Sequence, residues 1–188
     1  MTKILTVLEH RDDEVLRNHQ HYAQLYGYSY QWVETDFMAN EHLRIAYKYN
    51  YLLQQLKACG EGELVMLLND HAAVFKPLSI EKAMAGQDVF VCYAPGSNEA
   101  PKAPHVPLNN LLVLRNTDAN RAILHRILNA LHSGLAARPE QLNEFECLEL
   151  FNVLPTNATL LDAYINVNWQ IANWFNANIF VVNLGMST

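Results

Sequence analysis

Residues 64–68, Leu-Val-Met-Leu-Leu, form an uninterrupted apolar run. A strand with one exposed face alternates apolar and polar side chains, whereas a parallel strand covered on both faces is continuously hydrophobic. Residues 4–8 and 88–93 have a similar character. The sequence therefore predicts a sheet that is buried on both faces.

Helical segments separate these predicted strands. Acidic residues 12–14 favour the start of a helix that Gly27 ends, and a second helix is predicted over residues 41–59. The other predicted elements are strands at residues 28–33, 111–114 and 179–182 and helices at residues 79–85, 117–132 and 140–150. The order β-α-β-α-β-α-β followed by β-α-α-β predicts an α/β fold, a mostly parallel sheet flanked by helices on both faces.

Composition narrows the classes of partner and compartment. The 188 residues carry a formal charge of −6, which disfavours nucleic acid and anionic membranes as partners. No apolar run approaches the length of a membrane span, and the charged residues soon after the first strand do not fit a signal peptide. Three widely spaced cysteines without a CxxC pair indicate reduced thiols. We expect a single cytoplasmic domain.

Three polar residues, Asn69, Asp70 and His71, directly follow the most hydrophobic strand. In parallel α/β sheets, ligands bind beyond the carboxyl ends of the strands. Each of these side chains can offer an oxygen or an imidazole nitrogen to a divalent cation, or hydrogen bonds to a sugar hydroxyl. Asn and Asp are also common turn residues, so a plain turn is an equally weighted interpretation.

The triplet also belongs to a longer pattern, Asn18-x-x-x-Tyr22-Ala23-x-x-x-Gly27-Tyr28, then Lys48, then Leu68-Asn69-Asp70-His71-Ala72-x-x-x-x-Pro77. This pattern resembles the galactosyl- and mannosyltransferase family with a GT-A fold, which is Rossmann-like. That family has a helix ending in Tyr-Ala-x-x-His-Gly-Tyr, a Lys-bearing helix and a strand ending in Leu-Asp-x-Asp-Ala. Weaker similarities follow at residues 108–111, 115–116, 144–148 and 180–184.

The resemblance implies transfer of a sugar from a nucleotide-sugar donor, with Mn²⁺ or Mg²⁺ holding the diphosphate. By position, the two aspartates of the metal motif (DxD) become Asn69 and His71, so the motif is degenerate. Asp70 can replace the missing carboxylates only if the turn directs it at the metal, which is a shift of one residue within the motif. The C-terminal histidine ligand of the family becomes Asn183, and its acceptor-side aspartate becomes Glu144.

The resemblance also assigns the two halves of the chain. Residues 1–93 form the nucleotide-binding half and residues 94–188 the acceptor-side half, in which Asn109 and Asn110 join Glu144 near the acceptor. The proline-rich residues 94–107 are expected to form a loop that closes over it.

Charged residues outside the triplet complete the predicted site. In the resemblance, Lys48 faces the donor phosphates, and Arg44 lies on the same helical face; a solvated basic face is the alternative for both. Glu9 and His10, after the first strand, would meet the base and ribose, with simple loop exposure as the alternative. His19 falls on the apolar stripe of the first helix and is expected to be in the core or half-buried, whereas His21 is expected in solvent.

Two functions follow from these residues. The first is a glycosyltransferase that uses a nucleotide sugar and an acceptor of unknown identity. The second is a catalytically silent GT-A-like domain that binds a ligand or a partner protein, which the substituted metal motif favours.

Overall fold

In the computed structural model of this chain, the structure describes residues 1–75, 78–84, 86–93, 107–134, 159–160, 166–168 and 181–183. The helices among them are α1 (Asp13–Tyr26), α2 (Glu41–Ala58), α3 (Ile80–Met84) and α4 (Asp118–Gly134). The strands among them are β1 (Lys3–Leu8), β2 (Ser29–Glu34), β3 (Leu64–Asn69), β4 (Ala72–Val74), β5 (Val89–Tyr93), β6 (Pro107–Arg115), β7 (Thr159–Leu160), β8 (Asn166–Asn168) and β9 (Val181–Asn183).

The larger sheet has the strand order β2-β1-β3-β6-β5-β7. Strand β1 pairs in parallel with β2 and β3, and β5 pairs in parallel with β7. Strand β6 runs antiparallel between β3 and β5, so the other five strands point in one direction. The predicted mostly parallel α/β sheet is confirmed, with one reversed strand near its middle.

Both faces of this sheet are buried along β1 and β3, which explains the uninterrupted apolar run of β3. Val65 and Leu67 belong to the core between the sheet and the helices α2 and α4. Met66 and Leu68 point to the opposite face and pack with residues of α1 and α3. Because successive strand residues alternate between faces, a strand covered on both sides must be apolar throughout. Each fully buried Leu or Met contributes roughly 1.5–3 kcal/mol.

The helix boundaries follow from local chemistry. The Asp12 side chain caps α1 by accepting the backbone N–H groups of Glu14 and Val15, at 2.8 and 3.1 Å. Gly27 ends the same helix with φ +68°, a conformation that side chains with a Cβ rarely adopt. Asn40 caps α2 in the same way as Asp12 caps α1. The predicted limits of both helices are confirmed to within one residue.

Three short strands, β4, β7 and β8, were not predicted, whereas β9 overlaps the strand predicted at residues 179–182. Strands β4, β9 and β8 form a second sheet in that order, with β4 antiparallel to β9 and β8 parallel to β9. Strands of two or three residues carry too little periodicity to be recognised in a sequence. Most of the last third of the chain, with the helix predicted at residues 140–150, lies outside the described residues.

The start of β6 corrects another prediction. The sequence predicts a loop up to residue 107 and a strand at residues 111–114, with Asn109 and Asn110 before it. The structure instead begins β6 at Pro107, which pairs with Tyr93 of β5. Proline is tolerated here because it is the first residue of the strand. Asn109 and Asn110 are therefore strand residues. In the part of the chain that the structure describes, no helix is long and apolar enough to cross a membrane.

Candidate functional site

The carboxyl ends of β1 and β3 meet at one edge of the larger sheet. Val7 pairs with Asn69 in the parallel register, so the residues that follow both strands are neighbours. The backbone N–H of Glu9 donates a hydrogen bond of 3.1 Å to Asp70 Oδ2. The structure thus brings together the two segments that sequence analysis placed at the site. Glu9 is half-buried and His10 is exposed.

Residues 69–71 form the turn between β3 and β4. Asn69 Oδ1 accepts the backbone N–H of His71 at 3.0 Å, so the Asn69 carboxamide stabilises the turn. The Asp70 side chain is 13% exposed and the His71 side chain 58% exposed, and His71 Nε2 lies 3.8 Å from Asp70 Oδ1. The turn interpretation and the ligand interpretation are therefore compatible. The amide oxygen of Asn69 is used within the turn, while His71 remains accessible to solvent.

The second sheet brings position 183 to this turn. Strand β9 pairs with β4 so that Asn183 is opposite Ala72, the residue after His71. On its other side, Asn183 is opposite Asn168 of β8. The register thus places Asn183 next to the triplet, more than 110 residues away in sequence, where the resemblance assigns the C-terminal ligand.

The predicted acceptor-side residues are placed only in part. Leu68 pairs with Leu111, and β6 runs antiparallel to β3. The register therefore puts Asn110 and Asn109 at the same edge of the sheet as the end of β3. Glu144, the third predicted acceptor-side residue, lies outside the described residues.

Lys48 is buried, at 8% exposure, which contradicts the alternative that it belongs to a solvated basic face. Its ammonium nitrogen is 5.1 Å from the centroid of the Tyr49 ring. Lys48 and Arg44 share a helical stripe with Tyr51 and Gln55, whose side chains hydrogen-bond to residues of β2 and β1. Both basic residues therefore lie on the side of α2 above these two strands.

Two residues at this edge were not predicted from the sequence. Glu34 is the last residue of β2, and His42 lies in the first turn of α2 and is 8% exposed. Four buried side-chain polar atoms in the described residues have no hydrogen-bond partner, and three of them lie here: Glu34 Oε1, His42 Nδ1 and Arg44 Nε. Arg11 Nη1 is 3.9 Å from Glu34 Oε1, which is an ion pair rather than a hydrogen bond. Glu34 could have been found by the rule that led to Glu9 and Asn69, since all three are at the end of parallel strands.

The metal chemistry available in the described residues is limited. They contain no group of three or more His, Cys, Asp or Glu side chains in a metal-binding arrangement. At the carboxyl edge of the sheet, Asp70 and His71 are two potential metal ligands that lie next to each other. Asn69 adds an amide oxygen that is already hydrogen-bonded. Two protein ligands are typical of a Mn²⁺ or Mg²⁺ ion that is shared with substrate phosphates rather than held by a protein cage.

A separate groove lies between α2 and α4, with a volume of about 470 Å³. Leu43, Tyr47 and Leu128 give it an apolar lining, to which Asn50 and His132 add polar groups. No residue of its lining is acidic, so it does not provide the carboxylate oxygen that a cation bound to a diphosphate prefers.

Comparison with known proteins supports the fold. No protein-family model matches the sequence, and no curated protein sequence matches it. A crystal structure of a glycosyltransferase involved in the glycosylation of the major capsid of PBCV-1 superposes with a TM-score of 0.71. It is 12% identical, and the match covers 100% of this chain and 95% of that one. A second structure, A197 from STIV, is 10% identical with a TM-score of 0.40 over 67% of this chain and 68% of that chain. The chain therefore has a glycosyltransferase-like fold, with a mostly parallel sheet flanked by helices.

Proposed function

We propose that this chain is a glycosyltransferase that binds a nucleotide-sugar donor at the carboxyl edge of its larger sheet. The observation that carries the proposal is the hydrogen bond between Glu9 N–H and Asp70 Oδ2, at 3.1 Å. It joins the loop after β1 to the turn after β3 in a fold of the glycosyltransferase type. This is the edge at which parallel α/β sheets bind their ligands.

Asp70 and His71 are the residues that would bind a divalent cation together with the donor diphosphate. Asp70 Oδ2 accepts from Glu9, which leaves Oδ1 and the exposed His71 Nε2 on the same side of the turn, 3.8 Å apart. A carboxylate oxygen with an imidazole nitrogen suits Mn²⁺ better than Mg²⁺, because Mg²⁺ prefers oxygen ligands alone. When bound, such an ion would neutralise the diphosphate charge. Asn183, opposite Ala72, is the third proposed ligand.

The remaining residues have proposed roles that follow from charge. Lys48 and Arg44 would offset the negative charge of the diphosphate from the side of α2. Glu9, His10 and Glu34 would meet the nucleoside, because carboxylate oxygens accept hydrogen bonds from ribose hydroxyls.

Sugar transfer requires stabilisation of the departing nucleoside diphosphate, and fixed positive charge supplies this without a protein nucleophile. Asn109 and Asn110, beside the end of β3, would bind acceptor hydroxyls, and Glu144 is the third proposed acceptor-side residue. We assign no general base.

A second function is favoured by a specific observation. Asn69 Oδ1 and Asp70 Oδ2 both accept backbone N–H groups, so two of the three side-chain oxygen atoms at the degenerate motif already have a structural use. A catalytically silent domain that binds a ligand or a protein at this edge would need no more than such a turn.

Ligand-induced stabilisation distinguishes the two functions. The thermal unfolding temperature is measured with UDP, GDP, UDP-galactose and GDP-mannose, each with and without Mn²⁺. A ligand at one hundred times its Kd stabilises the folded state by about 2.7 kcal/mol, which corresponds to roughly 5–10 °C for a domain of this size. The glycosyltransferase is expected to respond to one nucleotide in the presence of Mn²⁺.

His71→Ala is the test variant, because His71 is exposed and its loss leaves the core unchanged. We expect it to abolish the Mn²⁺-dependent shift while the unfolding temperature without ligand stays within about 1 °C. His21→Ala is the matched control, since His21 is an exposed histidine on α1. A wild-type protein that responds to no nucleotide would favour the silent domain, and an unchanged shift in His71→Ala would remove His71 from the site.

A further inference from the structure

Strand β4 begins directly after the site turn, and it is bound by side chains of α1. Asn18 makes two hydrogen bonds to Val74: its Nδ2 donates to the carbonyl at 2.9 Å, and its Oδ1 accepts the N–H at 2.8 Å. One carboxamide thus provides both bonds that a residue of a neighbouring strand would provide. This is the pairing of a β-ladder, made by a side chain from a helix.

His19, the next residue of α1, binds the same strand. It is fully buried, and Nε2 is 2.8 Å from the carbonyl oxygen of Ala72, while Nδ1 is 2.9 Å from Thr6 Oγ1 on β1. A carbonyl oxygen can only accept, so Nε2 carries the proton and Nδ1 accepts the Thr6 hydroxyl. Burial lowers the pKa of His19 to about 4, so the imidazole is neutral at physiological pH and both bonds persist.

The two interactions together occupy one edge of β4. The backbone polar groups of residues 72 and 74 point to the same side of a strand, and those of residue 73 point to the other. Asn18 and His19 bind the first side, and β9 pairs along the opposite side. The far end of the 69–71 turn is therefore fixed by α1 through three hydrogen bonds, and its near end is fixed by β3 in the sheet.

We infer that Asn18 and His19 are positioning residues, which set the conformation of the Asn69-Asp70-His71 turn and so of the proposed donor site. The inference rests on the proposed function only where it concerns ligand affinity. The structural part of the inference is independent of any ligand: a change in α1 alters the conformation of a turn that is more than fifty residues away in sequence. A residue with a merely stabilising role would lower the unfolding temperature without changing this turn.

The test compares Asn18→Ala with Asn120→Ala. Asn120 is the matched control: its buried side chain donates two hydrogen bonds of 2.8 Å to backbone carbonyls, but at the opposite edge of the sheet. Backbone amide chemical shifts and amide hydrogen exchange are measured for residues 69–74 in both variants. The Kd for UDP and for GDP with Mn²⁺ is measured in parallel.

We expect Asn18→Ala to shift the amide signals of residues 70–74, to raise their exchange rates at least tenfold, and to raise the Kd at least tenfold. Asn120→Ala should leave all three unchanged despite a similar loss of stability. Asn18→Asp, which keeps the acceptor for Val74 N–H, should fall between Asn18→Ala and the wild type, and it serves as the test variant if Asn18→Ala does not fold.

Unchanged amide signals at residues 70 and 71 in the Asn18 variants would overturn the inference. If the wild-type protein binds neither nucleotide, the proposed function fails, and the amide signals alone then decide the inference. Altered amide signals with an unchanged Kd would overturn the part that concerns the donor site.

Discussion

The two edges of the larger sheet differ in how completely their polar side chains are hydrogen-bonded. At the amino edge, beside the start of β3, the buried Asn116 donates to the carbonyl oxygens of Cys59 and Gly60 at 2.8 and 3.2 Å, and its own oxygen accepts from Arg121. At the carboxyl edge, Glu34 Oε1, His42 Nδ1 and Arg44 Nε have no hydrogen-bond partner. The amino edge uses polar side chains to close the fold, whereas the carboxyl edge leaves three buried polar atoms without a hydrogen bond.

The difference has a thermodynamic meaning. A buried polar atom without a partner costs about 1–3 kcal/mol, and a ligand that supplies the partner recovers that cost on binding. The satisfied network at the amino edge includes Asn120 and Arg115, whose guanidinium donates to Asp88 and to the Gly62 carbonyl at 2.9 Å each. Substitutions should therefore lower stability at the amino edge and change ligand binding at the carboxyl edge.

The strongest effect is expected for His19, one of the hydrogen-bonded side chains that support the carboxyl edge, since both of its ring nitrogens have a partner. Its pKa is lowered from 6.5 to about 4, so the unfolded chain takes up a proton more readily than the folded protein as the pH falls from 6.5 to 4. Above pH 6.5 the shifted pKa of His19 does not reduce the free energy of unfolding, whereas acidification to pH 4 should reduce it by about 3 kcal/mol. His19→Asn is expected to lose less stability over this window in denaturant titrations. His21→Asn should follow the wild type, and equal slopes in all three proteins would contradict the prediction.

A smaller effect is expected at the amino edge. Asn116→Ala removes the hydrogen bonds of a buried side chain to the carbonyl oxygens of Cys59 and Gly60, of which the Gly60 oxygen still accepts the N–H of Glu63, and this loss should lower the free energy of unfolding by about 2 kcal/mol. Urea titration measures this loss. The affinity for any nucleotide should remain as in the wild type. A weaker affinity would mean that the two edges are not separate in function.

The smallest effect on stability is expected at the carboxyl edge. His42→Leu replaces a buried imidazole, whose Nδ1 has no partner, by an apolar side chain, so the free energy of unfolding should stay constant or rise by up to about 1 kcal/mol. The same urea titration applies, with Asn116→Ala as the comparison. A loss above about 1 kcal/mol would show that the His42 imidazole is structural, and the contrast between the edges would then be weaker.

Much of the fold was predictable because its signals are local. The apolar run at residues 64–68, the Asp12 cap and Gly27 each determine structure through their own chemistry. The observed strand β3 and helix α1 confirm these predictions. The expectation that His19 lies in the core was also correct, because the helical stripe shows which face is buried. The start of β6 was predicted wrongly, since strand length depends on pairing with β3 and β5.

The candidate site divides in the same way. Sequence analysis found Glu9, Asp70 and His71 because each follows a predicted strand, and it missed His42, which has no local signature. The roles assigned to Asn183 and Glu144 came from resemblance alone, and only Asn183 lies within the described residues, where β4 and β9 bring it to the turn.

Local sequence was enough to predict most of the strands and helices, the limits of α1 and α2, and the burial of β3 on both faces, because these depend on side chains within one or two turns. Tertiary structure alone decided that β6 is reversed, that Asn18 completes the edge of β4, and which polar atoms stay unpaired. Those features depend on groups that are far apart in the chain and meet only when the sheet is assembled, so no local pattern of residues encodes them.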